Sequence, residues 1–341
     1  MTVHLASIVR LLIGVLLCVL ASPSGGQGMP DLVLDGTLLQ TSVSFDLQSF
    51  APSACELQPI DLCVGGPGPR TLLRFSVLAT NQGTADLVLG IPPVIEPPNQ
   101  GEFVYSACHM HFHFTSFARY ELRQRGTTTV AAPGQKRSFC VEDTRQVDAA
   151  APVEKKYCCT DACQNRQGVQ VGWGDLYPST LPCQWIDVTG VAPGDYDLCV
   201  FLNTEGLLAE DPDPAGNSAC VPVTLSAPSA PAPRVKVRKP RARAKLRVGR
   251  RLAVAWQRRA KGALLFQEVW LSRDGGASYD LLAHLAPPRM KRAVRMTVTP
   301  DMVTEQGRIK VYVCARNPKD DVGAGARQCG EAESGIFRIV P

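Results

Sequence analysis

Thirteen cysteines in 341 residues constrain this chain more than any other feature, because the compartment they enter decides whether they become cross-links. Residues 1–21 read as a secretory signal peptide. Arg10 precedes an uncharged apolar run from Leu11 to Leu20, and Val19 and Ala21 stand at the −3 and −1 positions of a small-residue cleavage site. That run is shorter than the ~20 residues a membrane span needs, and no later segment qualifies, so no transmembrane span is expected. The chain is therefore expected to be secreted, to an extracellular or periplasmic space. Loss of Cys18 with the signal leaves an even set of cysteines, suited to disulfides under oxidising conditions. The pairs Cys55–Cys63, Cys199–Cys220 and Cys314–Cys329 are expected, since each flanks a turn or sits on neighbouring strands. Cys158, Cys159 and Cys163 are close enough in sequence for a zinc site, which export makes the weaker reading.

Residues 22–29 are a short polar lead. Residues 30–225 carry short alternating or β-branched runs, such as Leu72–Ala79, Val104–Leu122 and Tyr196–Leu202, punctuated by Gly, Pro, Asn and Asp. This pattern predicts an antiparallel β-sandwich with no amphipathic helix longer than about three turns. Residues Glu142–Gly174, weakly periodic and cysteine-rich, read as a long disulfide-tied loop. Residues 226–245 read as a Pro/Lys/Arg-rich linker, solvated and extended. Residues 246–341 read as a smaller immunoglobulin- or fibronectin III-like sandwich. Its strands are expected at Leu252–Trp256, Leu264–Leu271, Arg295–Val298, Ile309–Ala315 and Gly335–Ile339, with a hairpin turn at Ser272–Gly276. Charge divides along the same line. Residues 231–341 hold 24 Lys+Arg against 9 Asp+Glu, and residues 1–230 hold 12 against 22. An acidic front joined to a basic back excludes a uniform nucleic-acid-binding surface and points to different partners for the two parts. The basic run could tether the chain to an anionic cell-surface polymer or to the acidic front domain.

The chemistry concentrates in CHMHFHF. His109, His111 and His113 alternate with Met110, Phe112 and Phe114, so on a strand the imidazoles share one face and the apolar residues the other. Burying three imidazoles without a common partner is costly. A shared metal ion is the expected answer, with a purely structural face as the alternative. On a flat strand the first and third would lie ~13 Å apart, so one ion can be reached by all three only where the strand bends. Imidazoles suit copper or zinc and do not choose between them.

Beyond this strand, the order of motifs resembles the catalytic domain of the lysyl oxidase family in a bacterial-style form, over about residues 30–222. The motifs are Pro30-Asp31-Leu32-Val33, Leu72-Leu73-Arg74-Phe75, Asn81–Asp86, the CHxHxH strand running on to Phe117 and Tyr120, Lys136–Thr144 (KRSFCVEDT), Cys183–Thr189 (CQWIDVT) and Pro193–Tyr196. The resemblance implies Cu(II) on His109, His111 and His113. It also implies a self-derived lysine tyrosylquinone made from Lys136 and Tyr177. The family reaction would oxidise peptidyl lysine or small primary amines to aldehydes with O₂, releasing hydrogen peroxide and ammonia, the cofactor serving as electron sink. Asp143 and Asp187 are candidates for the general base, or for partners that orient a ligand imidazole. A calcium site is implied at Asp31, the Leu32 carbonyl, Glu210, Asp213 and Asn217. The cysteine set matches the family only in part, and the loop before Tyr177 differs in detail. Two other readings stay open: a non-catalytic secreted copper-binding or adhesion protein on the same sandwich, and a zinc hydrolase, for which no HExxH-type base is present.

Overall fold

The computed structural model describes residues 28–134, 138–157, 163, 165–211, 216–228, 230–317 and 327–341. The expected signal over 1–21, together with Lys136, Cys158, Cys159 and Asp213, lies outside the described residues. Among the described residues one short α-helix, Gly36–Thr41, and two single 3₁₀ turns interrupt an otherwise all-β chain. Asp35 caps the helix by accepting the Leu38 N–H at 2.8 Å. No helix among these residues is long and apolar enough to cross a membrane.

The first domain is an antiparallel sandwich. One sheet runs Leu32–Leu34, Val77–Asn81, Trp173–Tyr177 and Arg145–Gln146, and another runs Ser218–Leu225, Gly194–Leu202, Ala118–Gln124 and Val130–Pro133. Their inward residues share one core that includes Val77, Ala79, Tyr120, Leu122, Leu198 and Val200. The run Leu72–Ala79 is not one strand. Gly68–Arg74 belongs to a separate sheet with Ser44–Phe50 and Trp185–Asp187, and the chain turns at Phe75–Ser76 to enter the sheet that carries Tyr177. Ser76 makes that corner affordable: its N–H donates to Ser42 Oγ, and its own Oγ accepts the Ser179 N–H.

Cys199–Cys220 and Cys314–Cys329 form as expected, each joining directly opposed strand positions. Cys55–Cys63 does not form. Cys55 pairs with Cys108 and Cys63 with Cys183. A backbone bond from the Cys63 N–H to the Glu56 carbonyl already closes that loop, which leaves the sulfurs turned toward two different neighbours. The segment Glu142–Gly174 is tied by Cys140–Cys163. It also carries short strands at Arg145–Gln146 and Gln167–Val169.

The smaller sandwich packs around Leu252, Val254, Trp256, Val269, Val311, Val313 and Phe337. The expected hairpin at Ser272–Gly276 joins strands Ala263–Ser272 and Asp280–Leu285, with Gly275 and Gly276 at φ +77° and +108°. The basic run differs from its expectation. Arg234–Lys239, inside the stretch read as a linker, is a strand paired with Arg251–Arg259. Its period-two pattern explains this: Val235 and Val237 pack on the core while Arg234, Lys236 and Arg238 are exposed.

Candidate active site

Strand His111–Thr115 lies between Phe103–Ser106 and Ser138–Phe139. His111 and His113 share one face, as the alternation requires, with ring centroids 4.5 Å apart and Nε2 atoms 2.7 Å apart. His109 is not on the strand. It sits in the preceding turn, closed by the Met110 N–H donating to the Ser106 carbonyl, with Met110 at φ +60°. That left-handed residue folds His109 back, so its ring centroid lies 5.7 Å from His111 and 5.4 Å from His113. The three imidazoles therefore meet through a turn rather than along a strand, which removes the ~13 Å separation of a flat ribbon. The turn also corrects the expectation for the opposite face. Phe114 is buried, but Met110 is 69% exposed.

Below this turn stands Asp61, 5% exposed, whose Oδ1 is 3.3 Å from His109 Nε2 and whose Oδ2 faces the Ser106 hydroxyl at 3.4 Å. The Cys55–Cys108 and Cys63–Cys183 bridges hold its loop against the histidine turn and against Trp185. The donor set suits a transition metal: three clustered nitrogens and one carboxylate. Among the described residues no three such groups stand in closed coordination geometry as they lie, because His109 faces Asp61 while His111 and His113 face each other.

A cavity of about 220 Å³ joins this cluster to Tyr177. Its lining includes Asp61, the three histidines, Glu142, Asp175 and Tyr177. Tyr177 ends strand Trp173–Tyr177, opposite Val77, and its ring meets Phe139 edge-on at 5.2 Å. Its phenol oxygen is 2.5 Å from Asp175 Oδ2 and 2.7 Å from the Cys140 carbonyl. Burial, then the neighbouring Asp175 carboxylate, push the Tyr177 hydroxyl well above the usual phenol range. Burial likewise raises Asp175 well above ordinary carboxylates, with Glu142 nearby adding to the effect. The phenol O–H stands between two acceptors, the Asp175 carboxyl oxygen and the Cys140 carbonyl, and donates toward them.

The two proposed bases lie elsewhere. Asp143 is fully buried and accepts the Lys156, Tyr157 and Gln170 N–H groups at 2.9–3.0 Å, which makes it a clasp for the long loop. Asp187 pairs with Arg70 at 2.8 Å and accepts the Gly65 and Thr189 N–H groups. Neither lines the cavity, whereas Asp61, Glu142 and Asp175 do. For Asp175 a sequence signal existed: two residues before Tyr177 on a strand, it shares that residue's face. Asp61 had none, since only cross-links between distant segments bring it to the histidines.

Outside that cavity Glu210, 8% exposed, accepts the Leu32 N–H at 3.0 Å and the side-chain amides of Asn203 and Asn217 at 2.7 and 2.8 Å. Asn217 Oδ1 is buried and has no hydrogen-bond partner among the described residues. Burial raises the Glu210 carboxyl, with the charge of Asp31 contributing. The expected hard-cation group thus converges at Asp31, Leu32, Glu210 and Asn217, and its oxygen donors suit such an ion.

Residues 38–224 match the family model described as Lysyl oxidase. Lysyl oxidase homolog 2 of Xenopus laevis is 35% identical over 190 residues, covering 53% of this chain and 23% of that protein. Lysyl oxidase homolog 1 of Homo sapiens is 33% identical over 193 residues, 54% of this chain and 31% of that one. Protein-lysine 6-oxidase of Sus scrofa is 32% identical over 191 residues, 54% of this chain and 72% of that one. The matched part therefore spans less than a third of the first two relatives.

Proposed function

Because the chain belongs to the lysyl oxidase family, we propose that it is a secreted copper-dependent amine oxidase that converts peptidyl lysine or other primary amines to aldehydes. The reaction consumes one O₂ and one water per amine and releases hydrogen peroxide and ammonia. The observation that carries this reading is the shared cavity: three imidazoles and a buried phenol face one space of about 220 Å³. His109, His111 and His113 would hold the copper, and Lys136 with Tyr177 would supply the lysine tyrosylquinone. Together these groups provide the electron sink that amine oxidation needs.

The chain's own residues do the rest. Asp175 and the Cys140 carbonyl hold the Tyr177 ring in one orientation beside the histidines. Asp61 and Glu142 give the cavity an acidic wall that favours an incoming ammonium. Burial raises the proton affinity of Asp175, and once ionised it would take the α-proton of the substrate. The acidic balance of residues 1–230 draws cationic lysine side chains at longer range. The oxygen cluster at Asp31, the Leu32 carbonyl, Glu210 and Asn217, with Asp213 beside it in sequence, would hold calcium and lock strand Leu32–Leu34 to the loop that precedes strand Ser218–Leu225. The disulfides fit an oxidising extracellular or periplasmic location.

Copper-loaded protein should release peroxide with a primary amine and form a coloured phenylhydrazine adduct. Peptide mapping should then find a covalent link between the segments holding Lys136 and Tyr177. Tyr177→Phe should abolish all three. Turnover that survives this substitution sinks the assignment, and a colourless copper protein of unmodified mass favours the non-catalytic copper-binding alternative.

A further inference from the structure

Strands Arg234–Lys239, Arg251–Arg259 and Ala293–Thr297 form a three-stranded sheet on one side of the smaller sandwich. Its inner face, with Leu252, Val254 and Trp256, belongs to the core. Its outer face carries cations and no acid. Arg234, Lys236, Arg238, Arg251, Arg259 and Arg295 are all exposed there, and none of the three strands contains an acidic residue. Arg234 stands directly opposite Arg259. Several cations elsewhere in the domain are paired: Arg273 with Asp280, Arg308 and Lys310 with Glu333, Arg338 with Glu305. Among the described residues none of the six on this face has a carboxylate within ion-pair distance. Like charges opposed across a strand pair destabilise a sheet. An anionic partner would offset that cost.

The shape of the face narrows the partner. Ala253, Ala255, Ala293 and Thr297 share the outer positions, so the middle is flat and small-chained. Along Arg234–Lys239 the cations repeat every ~7 Å, and Arg259, Arg251 and Arg295 carry charge onto the neighbouring strands ~5 Å apart, which makes an open spread of charge rather than a pocket. The one aromatic residue of these strands, Trp256, is buried on the inner face, so nothing offers a stacking platform for nucleic-acid bases. No large apolar side chain projects outward to enter a bilayer. We propose that this face docks a linear acidic polysaccharide that carries carboxylate or sulfate groups along its length. The charge split then has a use. The basic domain holds the polyanion, and the acidic domain, which repels it, stays open to cationic substrates.

The test measures binding of the full chain to immobilised heparin and polygalacturonate at 150 mM salt. The face variant combines Arg234→Gln, Lys236→Gln, Arg238→Gln and Arg295→Gln. A control of equal charge combines Arg119→Gln, Arg145→Gln, Arg273→Gln and Arg338→Gln. The face variant should weaken binding to at least one of the polysaccharides by about tenfold or more, the control by less than about threefold, and added salt should weaken the unmodified protein. Should the quadruple variant fail to fold, Lys236→Gln and Arg295→Gln singly should each weaken binding about twofold. Equal losses in face and control variants, or unchanged binding in the face variant, would overturn the proposal. So would tighter binding of single-stranded DNA or phosphatidylserine vesicles through the same residues.

Discussion

The Tyr177–Asp175 contact places a phenol and a carboxyl 2.5 Å apart in a buried setting, where neither ionises easily. Its consequence for pH follows from the sign of the shift. A carboxyl whose folded proton affinity is raised adds stability below its unfolded value, about pH 4, and loses that contribution as pH rises toward its folded value. Asp175→Asn keeps the shape of the neutral acid and an acceptor oxygen for the phenol but cannot ionise. The thermal midpoint of the variant should therefore gain on the unmodified protein between pH 4 and 7. A gap that stays constant over that range would show that Asp175 is not held neutral. Activity should move the other way. Loss of the proposed proton acceptor should lower kcat by about 10²–10⁴-fold with a smaller change in KM. Both effects in one variant separate a chemical role from a merely structural one.

At the scale of elements, the sandwich and the histidine segment were legible because period-two alternation and turn residues are local signals. Leu252–Trp256, Tyr196–Leu202 and the Ser272–Gly276 hairpin stand where their patterns put them. What failed was non-local. Nothing near Cys55 announces Cys108, and nothing near Asp61 announces His109. The corner at Phe75–Ser76 was hidden because the apolar run continues through it. These long-range links carry the site, so removing one should be felt there. The Cys55–Cys108 bridge closes a 53-residue separation, worth about 4 kcal/mol by chain entropy. Cys55→Ser combined with Cys108→Ser should lower stability by up to that amount and weaken copper binding in equilibrium dialysis, while Cys199→Ser with Cys220→Ser should cost stability with copper affinity kept. Equal copper affinity in both variants would refute a role for the first bridge in shaping the cluster. The oxygen cluster at Glu210 makes a second claim of this kind, since it joins strand Leu32–Leu34 to the segment around Asn217. Calcium at a hundredfold its Kd should add about 2.7 kcal/mol to chelator-stripped protein. In a domain of this size that is roughly 5–10 °C in Tm. Asn217→Ala should remove most of the gain, and a calcium-independent Tm would leave the cluster without an ion.

For the whole molecule the question is whether two cores behave as one body. Each domain has its own apolar cluster and its own strand-to-strand disulfide, the usual makings of independent units. The seam between them argues otherwise, and it centres on a buried charge. Glu268, 1% exposed, accepts the Ser49 hydroxyl of the first domain at 2.6 Å, the Trp270 indole N–H at 3.0 Å, and contacts His284 Nδ1 at 2.9 Å. Arg327 adds a guanidinium bond to the Phe45 carbonyl on the same strand as Ser49, and Tyr312 lies against Gly68, where any side chain would meet its ring. A buried carboxylate with three polar partners is tolerable only while all of them stay in place. Separating the domains would take Ser49 away from it. The seam therefore couples the two unfolding events, and calorimetry should show one transition for the unmodified chain. Glu268→Ala strands the Ser49 and Trp270 donors and should cost about 2–4 kcal/mol. The single transition should then resolve into two, with oxidation of a small soluble amine little changed at 25 °C, because the cavity at Tyr177 lies wholly within the first domain. One unsplit transition in that variant would mean that the cores are joined by something other than this seam.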